Sequence, residues 1–198
     1  TQTYQALKIK DTKQQIINDV LVVETALQIN INKEAYTVVM RTPGNDLQLI
    51  RGLLFAEDIY KNTTNFFSEV IKEESGIPTI INVTIPKEKL GKGYLNKRTL
   101  LSVSSCGICG KKELKDLKVE GEKLIKNTSF SSEILHQMFI KMNTVQETFN
   151  LSGGSHAAAI FDKNQHLLTI KEDIGRHNAV DKTVGDLPQK NSLKQANY

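Results

Sequence analysis

The sequence predicts an α+β unit in the first part of the chain, followed by a layered α/β domain. Three observations predict it. β-Branched segments dominate the first third, one amphipathic helix follows a Pro-Gly break, and the last third reads helix, hairpin, helix. The expected division is an N-terminal α+β domain over 1–126 that ends in a CxxC loop, and a second domain over 127–198.

Each element has a local reason. VLVVETALQINI (20–31) and TVVM (37–40) are rich in β-branched residues with polar breaks between them, which favours pleated pairing. RTPGNDLQLIRGLLFAEDIY then turns over into a helix. Pro43-Gly44 punctuates, Asn45 is expected to cap with Gln48 three residues on, and Leu47, Ile50, Leu53, Leu54 and Ile59 recur on one face. KNTTNF opens a polar loop, TIINVTI (79–85) alternates as a strand, GKGY (91–94) breaks the chain, and TLLSVSS (99–105) is a strand running into Cys106. Farther on, Ser131 or Ser132 is expected to cap a long helix through about Phe149, with Ile134, Leu135, Met138, Phe139, Met142 and Val145 at helical spacing. LSGGSH interrupts, HAAAIF and HLLTIKE form a hairpin around DKNQ, and HNAVDKTVG (177–185) forms a helix with Val180 and Val184 inward. The polar, aperiodic PQKNSLKQANY reads as a disordered or unfinished tail.

Composition narrows the function classes. With 39% hydrophobic and 24% charged residues over 198 positions, the chain is of globular type. No apolar run is long enough for a membrane span and the first residues lack a secretory core, so a soluble cytoplasmic protein without a membrane partner is expected. The net charge of +4 suits anionic small molecules but lacks the concentrated basic stripe of a nucleic-acid binder. Six lysines interleave with four acids in KKELKDLKVEGEKLIK (111–126), the pattern of a solvated helix face. The only two cysteines sit together in one CxxC, which points away from a secreted disulfide framework and toward redox, sulfur or metal chemistry.

Four segments could carry chemistry. In SSCGICG, Cys106 and Cys109 are each followed by glycine, which lets the backbone turn tightly and aim amides at sulfur. A structural pair, a disulfide or half of a zinc site are the competing readings, and zinc would need two more ligands from His136, His156, His166 and His177. LSGGSHAAA offers Gly153, Gly154, Ser155 and His156 as a small-residue concavity for an anion, against a plain tight turn. KEDIGRHNAVDK crowds Glu172, Asp173, Arg176, His177, Asn178 and Asp181 where a hairpin enters a helix, and a helix start favours an anion. The competing reading is a capping cluster with Asp173 as the cap and Asp181 in a surface pair. In MRTPG the single arginine, Arg41, reads as a surface residue.

Taken in order, MRTPG with GLLFAEDIY, then SSCGICG, then SGGSHAAA followed by EDIGRHNAVDK, the segments resemble the formate dehydrogenase accessory sulfurtransferase (FdhD) family from about Val22 to Gly185. The resemblance implies a sulfur carrier of the cytoplasm, usually a homodimer. Its CxxC cysteine takes persulfide sulfur from a cysteine desulfurase and delivers it to the molybdenum bis-guanine-dinucleotide cofactor that formate dehydrogenase receives. It implies Cys106 as the persulfide bearer and Cys109 as its partner. The cofactor is the substrate, guanine nucleotide stands in for it, and no zinc is called for. Gly153, Gly154, Ser155, His156, Arg176 and His177 are the expected cofactor-binding residues.

The implied fold is a small α+β domain followed by a cytidine-deaminase-like α/β domain. Ser152 stands where the family more often has Thr, and Asp58 where Gly is expected. The family also continues past the last helix with further strands and a basic segment, so the second domain is expected to be C-terminally incomplete. Zinc deamination is rejected, because His177-Asn178-Ala179 lacks the required Glu two residues on and the CxxC lies upstream. A dithiol oxidoreductase or a cofactor-binding chaperone without sulfur transfer are the remaining alternatives.

Overall fold

The computed structural model describes residues 1–62, 66–95 and 131–187. The expected strand over 99–105, Cys106, Cys109, the lysine-rich segment 111–126 and the tail from Pro188 all lie outside the described residues.

Strands begin much earlier than the β-branched run announces. β1 (Gln2–Lys10) and β2 (Lys13–Leu21) form an antiparallel hairpin in which no residue is buried. Among Gln, Lys and Asn their apolar residues fall largely in adjacent pairs, Ala6-Leu7, Ile16-Ile17 and Val20-Leu21, so neither strand advertises itself by a two-residue period. β3 (Thr25–Ile31) and β4 (Glu34–Arg41) pair through a two-residue turn at Asn32-Lys33, both with positive φ (53° and 71°), the geometry that matches hairpin twist. β5 (Phe67–Glu74) and β6 (Ile77–Thr84) repeat the device at Ser75-Gly76. The resulting four-stranded sheet has the order β4-β3-β6-β5, with β3 parallel to β6. The Asn32 side chain fastens the end of that parallel pair, donating to the Ile85 carbonyl and accepting from the Ile85 amide, both at 2.8 Å.

The helix after the Pro-Gly break is α1 (Asp46–Ala56), and it buries Leu49, Ile50, Leu53 and Leu54 against Leu27, Ile29, Ile31, Ile81 and Val83. Two expectations change here. Asn45 takes the left-handed conformation (φ 55°) and makes no side-chain cap, because its backbone is spent on turning the chain, and Leu47 points to solvent. Asp58 also has positive φ (57°), so an aspartate occupies a left-handed position that glycine enters more freely. The GKGY break contains a short helix, α2 (Lys92–Leu95), docked on that turn by Gly91 and Gly93 amides donating to the Ile59 and Asp58 carbonyls.

In the second half, Ser131 caps α3 (Ser132–Thr144) by accepting from the Ile134 amide. The expected single helix to Phe149 is two helices, because the chain restarts as α4 (Glu147–Ser152). Of the apolar stripe predicted for α3, Met138 is buried while Leu135 and Phe139 are exposed. The hairpin is as expected, β7 (His156–Phe161) antiparallel to β8 (Leu167–Asp173), with Asp162 closing its turn by accepting from the Asn164 and His166 amides. α5 (Arg176–Asp186) lies on this hairpin and against α1.

The α1–α5 crossing is close enough to require glycine on both sides. A Cβ on Gly52 would sit 1.9 Å from the Asp181 carbonyl oxygen, and one on Gly185 the same distance from that of Gln48. Val180, expected inward, is 50% exposed. The inward face of α5 instead carries Asn178, Ala179, Asp181, Lys182, Thr183 and Asp186. These polar groups find partners in the fold: Thr169 donates to Asp186 at 2.6 Å, and Thr183 to the Ala158 carbonyl at 2.9 Å. Among the described residues no helix is long and apolar enough to cross a membrane.

Candidate functional site

The site is built where β8 runs out into α5. Asp173, the last residue of β8, has no solvent exposure. Its Oδ1 accepts from the Gly175 amide (2.8 Å) and from Asn178 Nδ2 (3.1 Å), and its Oδ2 accepts from the Thr42 amide (3.1 Å). Lys182 Nζ, also buried, lies 2.7 Å from Oδ2 and donates to the Thr42 carbonyl at 2.8 Å. Thr42 answers by accepting from the Ile174 amide at its hydroxyl, and Asn178 donates to the Met40 carbonyl. A carboxylate that must be buried is thus given a counter-charge and three further donors, which is what makes its burial tolerable. The result is a clamp: MRTPG from the first half is held on EDIGRHN from the second.

Arg41, next to Thr42, is not a surface residue, and its partners all lie in the first half of the chain. It is fully buried, with Nε on Asp46 at 2.8 Å, Nη2 on the Pro78 carbonyl at 2.8 Å, and Nη1 on the Thr25 hydroxyl. Asp181 is likewise buried rather than part of a surface pair, because the α1–α5 crossing covers it. Asp173 is not the cap of α5: Gly175 holds the N-cap position with no side-chain cap, and Asp173, two residues earlier, accepts from the Gly175 amide while its carboxylate is spent on the clamp.

A second carboxylate organises the Gly-rich turn. Glu172 accepts from the Thr148 and Phe149 amides at the start of α4 (2.9 and 2.8 Å) and from the Ser155 hydroxyl beyond its end (2.9 Å). This explains why the long helix divides: a carboxylate aimed at free amides supplies a new N-terminus. Between those ends Gly153 closes α4 with φ 66°, and its amide donates to the Phe149 carbonyl at 2.7 Å. Gly154 passes against Val22, where an added Cβ would meet the side chain at 3.4 Å.

The register of the hairpin brings the two predicted segments to one end. His156, exposed at the start of β7, stands opposite Asp173 at the end of β8. The Gly153–Gly154–Ser155 turn therefore adjoins the start of α5, where Arg176 is exposed and His177 half-buried. Ser155 is buried under its bond to Glu172. A cleft of about 280 Å³ opens alongside, lined by Thr42, Pro43, Thr148, Lys171, Glu172 and Lys182 among others. None of Gly153, Gly154, Ser155, His156, Arg176 and His177 is among the residues lining this cleft. The Gly153 and Gly154 amides already donate to the Phe149 carbonyl and the Ser152 hydroxyl, so the exposed Arg176 is the group at this end suited to an anion. Cys106 and Cys109 lie outside the described residues. Among the described residues no group of three or more His, Cys, Asp or Glu is gathered as a metal site.

Sequence reasoning missed Thr42 and Lys182, and saw Glu172 without its role. Thr42 pairs with residues more than 130 positions away, so no local pattern could have announced it.

Residues 22–197 match the FdhD/NarQ family. The chain is 37% identical to a sulfur carrier protein FdhD of Sulfolobus acidocaldarius, covering 94% of this chain and 69% of that protein. It is 36% identical to one of Picrophilus torridus, with coverages of 88% and 66%. In three dimensions it resembles a protein of Desulfotalea psychrophila described as a formate dehydrogenase accessory protein. That match has a TM-score of 0.64 at 17% identity, over 98% of this chain and 70% of the other, and speaks to the fold alone.

Proposed function

This chain belongs to the FdhD/NarQ family, and from that premise we propose that it is a sulfur carrier. It acts as a sulfurtransferase of molybdenum-cofactor maturation. The observation that carries the reading is that both cysteines of the chain fall in one SSCGICG segment inside the matched stretch. The donor is a cysteine desulfurase bearing a persulfide. The Cys106 thiolate attacks the terminal sulfane sulfur, the donor's S–S bond breaks, and the donor cysteine leaves as a thiolate, so sulfur moves without an oxidant. Delivery needs two electrons. Cys109 attacks the Cys106 sulfur, a Cys106–Cys109 disulfide forms, and the sulfane sulfur leaves as hydrosulfide for the molybdenum. A dithiol reductant then restores both thiols.

The molybdenum bis-guanine-dinucleotide cofactor is the substrate, destined for formate dehydrogenase. Gly153, Gly154, Ser155, His156, Arg176 and His177 hold its phosphates or a guanine nucleotide in their place, with Arg176 suited to bidentate contact. In this reading residues 1–126 form the α+β domain, residues 127–198 a cytidine-deaminase-like domain, and the protein works as a cytoplasmic homodimer.

Incubation with a desulfurase and cysteine should add one sulfur atom to the Cys106 peptide in mass spectrometry. Cys106→Ala should abolish the addition and the activation of formate dehydrogenase, whereas a Cys109 replacement should weaken activation without erasing it, because a thiol of the dithiol reductant can attack the Cys106 sulfur in its place, more slowly, and release the same hydrosulfide. A Cys106→Ala protein that still carries persulfide would refute the assignment, and a wild-type protein that binds guanine nucleotide but never carries persulfide would make it a cofactor chaperone.

A further inference from the structure

The β1–β2 hairpin and the edge strand β5 share one anomaly: neither contains a buried residue, yet both expose large apolar side chains. On the hairpin these include Leu7, Ile9 and Ile16, the last 71% exposed, and on β5 they are Phe67, at 65%, Val70 and Ile71. A two-stranded hairpin in which only Ala6, Ile17 and Val20 are half-buried is marginal in water, and an open strand edge invites pairing. The two regions also carry opposite charge. Around the hairpin tip lie Lys8, Lys10 and Lys13 against the single Asp11, and Lys10 stands directly across from Lys13, a like-charge pair that an acidic neighbour would relieve. Strand β5 carries Glu69, Glu73 and Glu74 against the single Lys72, which already pairs with Glu74 at 2.7 Å.

We propose that the β1–β2 hairpin of one chain docks on the β5 edge of a second copy, and that the exchange is reciprocal. Two identical hairpin-to-edge contacts then close a two-fold dimer. Charge selects this pairing over its competitors, since hairpin on hairpin would set lysines against lysines and edge on edge would set glutamates against glutamates. The proposal rests on the homodimer part of the functional reading and is independent of its sulfur chemistry.

Light scattering on the full chain should give twice the chain mass. Carbodiimide coupling of isotopically mixed light and heavy chains should join Lys8, Lys10 or Lys13 of one copy to Glu69, Glu73 or Glu74 of the other. The triple variants K8E/K10E/K13E and E69K/E73K/E74K should each weaken the dimer at least about tenfold, and mixing the two should restore it, because each variant then meets the opposite charge. A chain that stays monomeric would overturn both the dimer and this surface. A dimer whose strength neither variant changes, variants that mixing does not rescue, or hairpin links confined to one copy would overturn the surface while leaving the homodimer and the persulfide test standing.

Discussion

The two helices that cross at Gly52 and Gly185 are held by opposite chemistry. α1 presents Leu49, Ile50, Leu53 and Leu54 to the four-stranded sheet, each contributing about 1.5–3 kcal/mol by leaving water. α5 turns Asn178, Asp181, Lys182, Thr183 and Asp186 inward and leaves Val180 in solvent. Apolar burial is non-directional and tolerates small shifts. A buried ion pair with its hydrogen bonds does not, because each group has one place where it is satisfied. The comparison teaches that α1 supplies adhesion while the polar face of α5 fixes position, and Arg176 and His177 stand in the first turn of the helix so fixed.

The comparison breaks most visibly at the ion pair. Lys182→Ala leaves the Asp173 carboxylate buried without its counter-charge and should destabilise by about 4 kcal/mol in urea unfolding. Combining Lys182→Met with Asp173→Asn removes both charges and should recover a large part of that loss. If the double variant were as unstable as Lys182→Ala, volume rather than charge would be what α5 needs.

Leu54→Ala should be next, about 3 kcal/mol, with a cavity under α1 and no change in the neighbourhood of Thr42 as seen by amide exchange. Loss of protection at Thr42 and Ile174 in that variant would mean that the two halves are not held by independent means. Gly185→Ala is the smallest and the most pointed. In a free helix the change stabilises by about 1 kcal/mol, whereas here a Cβ would collide with the Gln48 carbonyl and should destabilise by about 1–3 kcal/mol. A stabilised Gly185→Ala protein would show that the helices can part without loss.

Local pattern was enough for α1, β3, β6, β7 and β8, because there hydrophobic periodicity and packing agree, and the serine cap placed the start of α3. It was also enough to single out Gly153, Gly154, Ser155, His156, Arg176 and His177 as two polar, Gly-containing segments flanking one hairpin. It was silent on β1, on β5 and on all of β2 but its end, whose apolar residues stand side by side rather than alternating and are nowhere buried in the single chain. It misread α5, where inward valines were expected and paired polar side chains face in. It misread Arg41, whose burial depends on Asp46, Thr25 and Pro78 converging around it. Periodicity records what a residue would do against a uniformly apolar interior. Which polar groups may enter that interior depends on where partners more than a hundred residues away arrive, as Thr42 reaches Asp173, and only the folded chain brings them there.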